Sequence, residues 1–400
     1  MSCRRHESAV SCEPRYIRIG HATPSFAVPV TVRIGVLGCG GIARAAHLPS
    51  LSRMGDARVV ALADADAASL AAARAAAPSS AQAVSDYRHV LDMPDVDAVL
   101  IALPPALHAE AAIGALQRGR HVYIEKPLAT SLADARRVLA ASDEAAHDAD
   151  AARRPVAMMG FNYRWNPLIQ QARARIAAGM IGQPVALRTV FSTPTRKLPQ
   201  WKRHREAGGG VLLDLAVHHI DLARFLTGAE IATVSAELQS MRTEHDTALL
   251  QMVLTNGVTA QSMFSLAAVD EDRIDVYGTD AKLTIDRYRS LRVEVVPAAA
   301  GGAIGFAVTR FVGELAALPY AVRKMRAPLN DPSFTMALEA FVRAVHDPSA
   351  LTSDVIDGFR AAAVIEAAES SARSHRAVAV DGVTVPGAVA VGPTGNRAHA

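Results

Sequence analysis

From residue 32 onward, short and almost wholly apolar runs alternate with longer segments whose apolar positions recur at helical spacing. That alternation predicts a parallel, doubly wound sheet, because a strand covered on both faces needs apolar residues at nearly every position. Strands are expected at 32–37, 58–63, 97–103, 120–125 and 155–160, with helices at 67–77, 108–117 and 131–146 in the crossovers. A glycine-rich turn and a helix through Leu51 follow the first strand, and Pro78 stops the helix after the second.

Past residue 161 the texture changes. Helices are expected at 167–178 and 212–226, and alternating runs at 185–192, 231–241, 247–255, 258–266, 273–277, 282–286 and 291–296. Period-two alternation marks strands with one buried face. Asn256-Gly257 between two such runs predicts a type I′ hairpin, so part of this second sheet is antiparallel. Helices at 334–346 and 353–374 close the domain, and no internal repeat is visible. The fold class is therefore α/β, with a C-terminal α+β domain on a largely antiparallel or mixed open sheet.

Composition adds exclusions. The 400 residues are 50% hydrophobic and 20% charged, enough apolar material for two cores. No apolar run reaches the roughly 18 residues of a spanning helix, so no membrane partner is expected. The formal charge of +3 is carried by residues 1–33, which leaves the rest balanced and without a nucleic-acid footprint. Cys3, Cys12 and Cys39 are too few and too scattered for a disulfide framework or a zinc knuckle, and a reducing cytoplasm fits them. Residues 1–30 have no signal-peptide core and read as a loose extension, and 386–400 as a mobile tail. The folded domains are expected at 31–160 and 161–385.

Gly38-Cys39-Gly40-Gly41-Ile42-Ala43 lies between a strand and a helix, the context in which a G-x-G-x-x-G/A turn cradles a pyrophosphate on helix N–H groups. Asp64, at the end of the second strand, is placed for a carboxylate that bonds the adenosine ribose hydroxyls and repels a 2′-phosphate. The N-terminal domain is thus expected to be a Rossmann domain that binds NAD in preference to NADP. An ordinary strand-end acid is the bland alternative for Asp64, and Asp66 is assigned to it.

Two further groups carry chemistry. Glu125-Lys126-Pro127 ends a strand at the carboxyl edge where ligands sit in open α/β folds. In GGGVLLDLAVHHIDL, Asp214 and His218 are four apart on an expected helix and share a face. Moving a hydride from a carbinol requires a proton acceptor and a donor for the developing alkoxide. His218, with Asp214 orienting its imidazole, and Lys126 meet both needs, although a satisfied helix histidine and a surface lysine are the bland readings. Asp221 continues the helix face, but no other cluster has metal-ligand spacing and no metal is expected.

GVLGCGGIA, VVALAD, EKPLA, GFNYRWNP, GGGVLLDLAVHHIDL and GTDAKLTI stand in the order and spacing of the glucose-fructose oxidoreductase / inositol dehydrogenase (Gfo/Idh/MocA) family, which the chain resembles over residues 32 to 380. The resemblance implies an NAD(P)-dependent dehydrogenase of a sugar, cyclitol or related polyol, assembled as a homodimer or homotetramer through the C-terminal sheet. It puts the acid/base on His218 and the substrate anchor on Lys126, with a cis bond to Pro127 in many members, and gives Asp214 the positioning of its partners. The cofactor set becomes Gly38, Gly40, Gly41, Ile42, Asp64, Pro104, His108, Glu125 and Lys126. Asn162, Tyr163, Arg164 and Trp201 are candidate substrate contacts, and the basic loop from Thr193 to Arg205 could close over an anionic substrate. Leu103-Pro104-Pro105 departs from the family's Thr-Pro, losing a hydroxyl, and Ala216 replaces a frequent glycine. A redox-neutral NAD-dependent glycosidase and a non-catalytic NAD-binding regulator are alternative functions on this fold.

Overall fold

The computed structural model describes residues 31–148, 154–194, 198–298 and 317–382. The expected extension and tail lie outside them, as do Arg196 and Lys197.

The first sheet has the order β3-β2-β1-β4-β5-β6, built from β1 (Val32–Leu37), β2 (Ala57–Ala63), β3 (Gln82–Val84), β4 (Ala98–Ile101), β5 (His121–Glu125) and β6 (Ala157–Gly160). Every neighbouring pair is parallel. The order reverses between β1 and β4, which opens a crevice at their carboxyl ends. Crossovers run through α1 (43–51), α2 (Ala67–Ala76), α3 (Tyr87–Leu91), α4 (His108–Leu116) and α5 (Leu132–Asp148). β3 and α3 were not expected. At three and five residues they are too short to show a period, and Asp86, which caps α3 by accepting from Arg88 N, looks like any turn acid.

Alternation within β4 assigns its side chains to two cores. Ala98 and Leu100 face one layer, Val99 and Ile101 the other, and all are fully buried.

The second sheet has the order β13-β12-β11-β7-β10-β9-β8-β14. Its strands are β7 (Pro184–Ser192), β8 (Ile231–Gln239), β9 (Thr247–Leu254), β10 (Thr259–Ser265), β11 (Glu271–Gly278), β12 (Ala281–Asp286), β13 (Glu294–Pro297) and β14 (Val378–Ala379). β7 and β10 pair in parallel and the other neighbours antiparallel, so the sheet is mixed. The β9–β10 hairpin forms, but not on a type I′ turn. Gly257 alone in it has positive φ, 83°, and its amide donates to Leu254 O at 3.0 Å. A three-residue loop with a type I turn followed by one left-handed glycine needs no second left-handed residue.

α6 (Pro167–Ala177) and α7 (212–227) pack beneath this sheet. From Val217 to Leu226 every residue of α7 is buried, as expected of a helix enclosed on all sides. After α8 (Leu318–Arg326) come α9 (Ser333–His346) and α10 (Val355–Ser374). α9 packs on the first sheet, where Phe341 meets Tyr123 edge to face at 5.7 Å. α10 lies against both α5 and β8, tying the two sheets together. Among the described residues no helix is long and apolar enough to cross a membrane.

Candidate active site

At the end of β1 the chain turns through Gly38 at φ 92°, and its amide donates to Ala63 O at 2.8 Å. A Cβ on Gly38 would stand 2.4 Å from Ala102 O, so β1 and β4 come this close only with glycine there. Over Gly40 and Gly41 there is open space, since a Cβ on either would meet nothing within 4 Å. Asp64 is held against this turn. Its Oδ2 accepts from Cys39 N at 2.7 Å and its Oδ1 from Asp66 N at 2.8 Å. Asp66 caps α2 by accepting from Ser69 N at 2.9 Å. Burial and the Asp64 charge push the Cys39 thiol up to about 12, so it stays protonated and unreactive. The tight turn, the free amides opening α1, the space above the glycines and the acid at the β2 edge together fit a dinucleotide. Ile42 lies in the first turn beside them, and Pro104 is exposed just after β4 on the same crevice.

His108 does not face that crevice. It is 1% exposed, with Nδ1 2.7 Å from Pro127 O and Nε2 2.8 Å from Leu103 O, so it ties the loop after β4 to the loop after β5. Burial pushes its pKa down, although two carbonyl oxygens would best suit a doubly protonated ring.

The Lys126-Pro127 peptide bond is cis. Glu125 and Lys126 are each engaged by a wide helical turn, Ala43–His47 in α1 and Leu212–Ala216 in α7, both carrying π-type bonding. The first delivers His47, fully buried, to within 2.7 Å of Glu125 Oε1 through Nε2. Burial raises the Glu125 pKa, but the His47 bond and nearby cations outweigh it and hold the carboxyl below its usual range. The second turn delivers Asp214. Lys126 Nζ donates to Asp214 O at 2.7 Å and Oδ1 at 3.1 Å, and Lys202 Nζ to Oδ1 at 3.0 Å and Oδ2 at 2.9 Å. Burial opposes the charge on Asp214, yet the two ammoniums keep its pKa far below the carboxylate range.

The glycine run before α7 makes room for this contact: a Cβ on Gly209 would lie 2.3 Å from Lys202 O. Trp201 is partly exposed beside it, 5.4 Å from Lys202 Nζ. Arg205 anchors the same loop by donating to Glu369 and to Thr130 O.

His218 is 6% exposed and stacks on Tyr163, ring centroids 4.0 Å apart at 12°. Its Nδ1 has no partner. Burial, then the charges of Lys126 and Arg287, push its pKa well down, so the ring is neutral. Asp214 therefore aims Lys126, while the plane of the imidazole is set by Tyr163. The neighbouring His219 is buried, with Nε2 3.1 Å from Asp272 Oδ1.

Two expected substrate contacts point elsewhere. Asn162 Nδ2 donates to Ser333 Oγ at 2.8 Å in the interior. Arg164 is buried, donating to Asp221 Oδ2 at 2.8 Å, Asp357 Oδ2 at 2.9 Å and Thr352 O at 2.9 Å. Losing one partner of an interior ion pair of this kind costs about 3–5 kcal/mol, because it leaves the other charge buried and unpaired. Asp221 is thereby removed from the Asp214–His218 face, and among the described residues no three His, Cys, Asp or Glu side chains group as a metal site.

Sequence reasoning missed His47, Arg287 and the role of Lys202. A lone histidine in an apolar helix and an arginine between strands carry no pattern, and Lys202 was legible only as one member of a basic loop.

Two sequence models match the chain. One, "Oxidoreductase family, NAD-binding Rossmann fold", matches residues 32–148, and the other, "GFO/IDH/MocA C-terminal domain", residues 169–284. The chain is 28% identical over 261 residues to the myo-inositol 2-dehydrogenase of Thermotoga maritima, covering 64% of this chain and 72% of that protein. It is 33% identical over 267 residues to a dTDP-3,4-didehydro-2,6-dideoxy-alpha-D-glucose 3-reductase of Streptomyces violaceoruber, covering 64% and 73%. The WlbA dehydrogenase of Bordetella pertussis, solved in complex with NADH and UDP-GlcNAcA, shares the fold with a TM-score of 0.72 at 22% identity, over 88% of this chain and 98% of that one. Matched in order through both halves, from the glycine turn to the sheet above α7, the chain belongs to the Gfo/Idh/MocA family of oxidoreductases.

Proposed function

We propose that the protein passes a hydride between nicotinamide and a secondary alcohol or ketone of a sugar, cyclitol or related polyol. The observation that carries this reading is the meeting of Lys126 from the first sheet with Asp214 on the helix of His218, Nζ to carbonyl 2.7 Å and Nζ to Oδ1 3.1 Å. NAD, when bound, supplies the hydride acceptor or donor. Gly38, Gly40, Gly41 and Ile42 would hold its pyrophosphate, Asp64 its adenosine ribose, and the edge formed by Pro104, Glu125 and Lys126 its reactive end. The carboxylate of Asp64 opposes a 2′-phosphate, which favours NAD over NADP.

Neutral His218 takes the hydroxyl proton at Nε2, the ring nitrogen not sealed in the interior. Lys126, aimed by Asp214, donates to the substrate oxygen and stabilises the developing alkoxide. Trp201 remains a candidate substrate neighbour, whereas Tyr163 is packed between His218 and Arg287. The protein is proposed to work in the cytoplasm, as a homodimer or homotetramer.

Absorbance at the NADH band across a panel of sugars and cyclitols, with NAD and NADP in parallel, tests the reading. Net reduction of NAD with at least one polyol is expected, and Lys126→Ala should lower turnover about 10²-fold or more. Undiminished activity in that variant would remove Lys126 from the chemistry, and a redox-neutral product would favour the glycosidase.

A further inference from the structure

Tyr163 lies between two groups of this site. His218 stacks on it at 4.0 Å, and Arg287 places Cζ 3.8 Å from the same ring centroid while Nη2 donates to the phenol oxygen. Two planar groups centred within about 4 Å of one ring cannot share a face without overlapping. Arg287 and His218 therefore occupy opposite faces. The guanidinium is fixed from behind: Nε donates to Asp272 Oδ2 at 2.8 Å, Nη1 to Asp331 Oδ2 at 2.5 Å, and Lys324 Nζ from α8 donates to Arg287 O at 2.9 Å.

A neutral imidazole stacks on a phenol as one ring on another. A protonated one would be drawn to the ring face, but the far face already carries a cation, and like charges repel strongly with no water between them. Lys126 at the end of β5 and His219 on the same helix add to that cost. Asp214 opposes it weakly, because its carboxylate is committed to two lysines, and Asp272 is committed to Arg287 and His219.

We propose that Tyr163, backed by Arg287, is the positioning residue that fixes the plane of His218 and keeps its imidazole uncharged and ready to accept the substrate proton. The last clause rests on the proposed role of His218; the stack and its effect on charge do not.

Histidine-selective NMR of the His218 ring, assigned by comparison with His218→Gln, reads the charge without any substrate. In the wild-type protein and in Tyr163→Phe, which keeps the ring, the signal should still hold its uncharged position below about pH 6.5, where a free histidine takes up its proton. Tyr163→Leu, which lets water in between His218 and Arg287, should raise the midpoint by about one pH unit or more. A wild-type midpoint near the free value overturns the proposal whether or not Tyr163→Leu folds, and so does a folded Tyr163→Leu that titrates like wild type. A folded protein that shows these titrations yet oxidises no polyol would sink the proposed function and support the stack.

Discussion

Titratable side chains at the site and at the amino end of β5 bear on the pH range in which the protein is stable. Asp214 has a depressed folded-state pKa, so its contribution is complete above the unfolded value of about 3.9 and is lost progressively as pH falls from there through the lower folded value. Histidines act in a higher window. Burial leads the depression of both His218 and His121, and Val156 N donates to His121 Nδ1 at 3.0 Å, a bond that the protonated ring cannot accept. Unfolded, each ring titrates near 6.5, so below that pH the unfolded chain binds more protons. Stability should be full above about pH 6.5 and fall on acidification at about 1.4 kcal/mol per pH unit for each ring. Urea midpoints measured between pH 7.5 and 5.5 should drop, and His121→Asn should flatten part of the slope. A profile level across that range would mean that the folded rings are charged. At this scale the sequence singled out Lys126, Asp214 and His218 as candidates because each sits in a motif of distinctive order. It could not locate the 78-residue contact between His47 and Glu125, which exists only after the sheet forms, nor tell that Arg164 turns inward to Asp221.

Strands and long helices were legible because burial imposes a period, whereas turns depend on backbone angles that residue order only suggests. Two glycines make the distinction measurable. Gly257 adopts φ 83° but has open space around it, so Gly257→Ala should cost about 1 kcal/mol and leave nucleotide affinity unchanged. Gly38 combines φ 92° with a Cβ position 2.4 Å from Ala102 O, so Gly38→Ala must push β1 away from β4 and should abolish NADH binding in a fluorescence titration. Unchanged affinity in Gly38→Ala would show that the close approach does not shape the nucleotide turn. The wide turns escaped the sequence for a related reason. One extra residue per turn alters which side chains share a face, so the four-residue step from Asp214 to His218 implied a direct contact, whereas Asp214 engages the lysines.

Across the whole molecule, the apolar stripe of α9 announced a buried helix but not its partner. It was expected to complete the second domain and instead covers the first sheet, a choice between two apolar surfaces that only the assembled chain makes. A similar question concerns the second sheet, whose inner face packs on α6, α7 and α10 while, among the described residues, its outer face carries exposed apolar side chains. Pairing registers align Leu249 of β9, Met263 of β10 and Val190 of β7 in one row across that face. Leu249 is 50% exposed, with Val253 at 44% and Tyr277 at 37% on the same side. Apolar residues crossing neighbouring strands in rows mark a surface suited to a second copy of the chain, and α7 with its site lies on the other side, free to take substrate. Sedimentation should therefore give a dimer or tetramer for the wild-type protein. Leu249→Asp should shift the mass toward the monomer with an unchanged circular dichroism spectrum, since the side chain points outward. A wild-type monomer would remove the assembly altogether, and an unshifted Leu249→Asp oligomer would place its interface elsewhere.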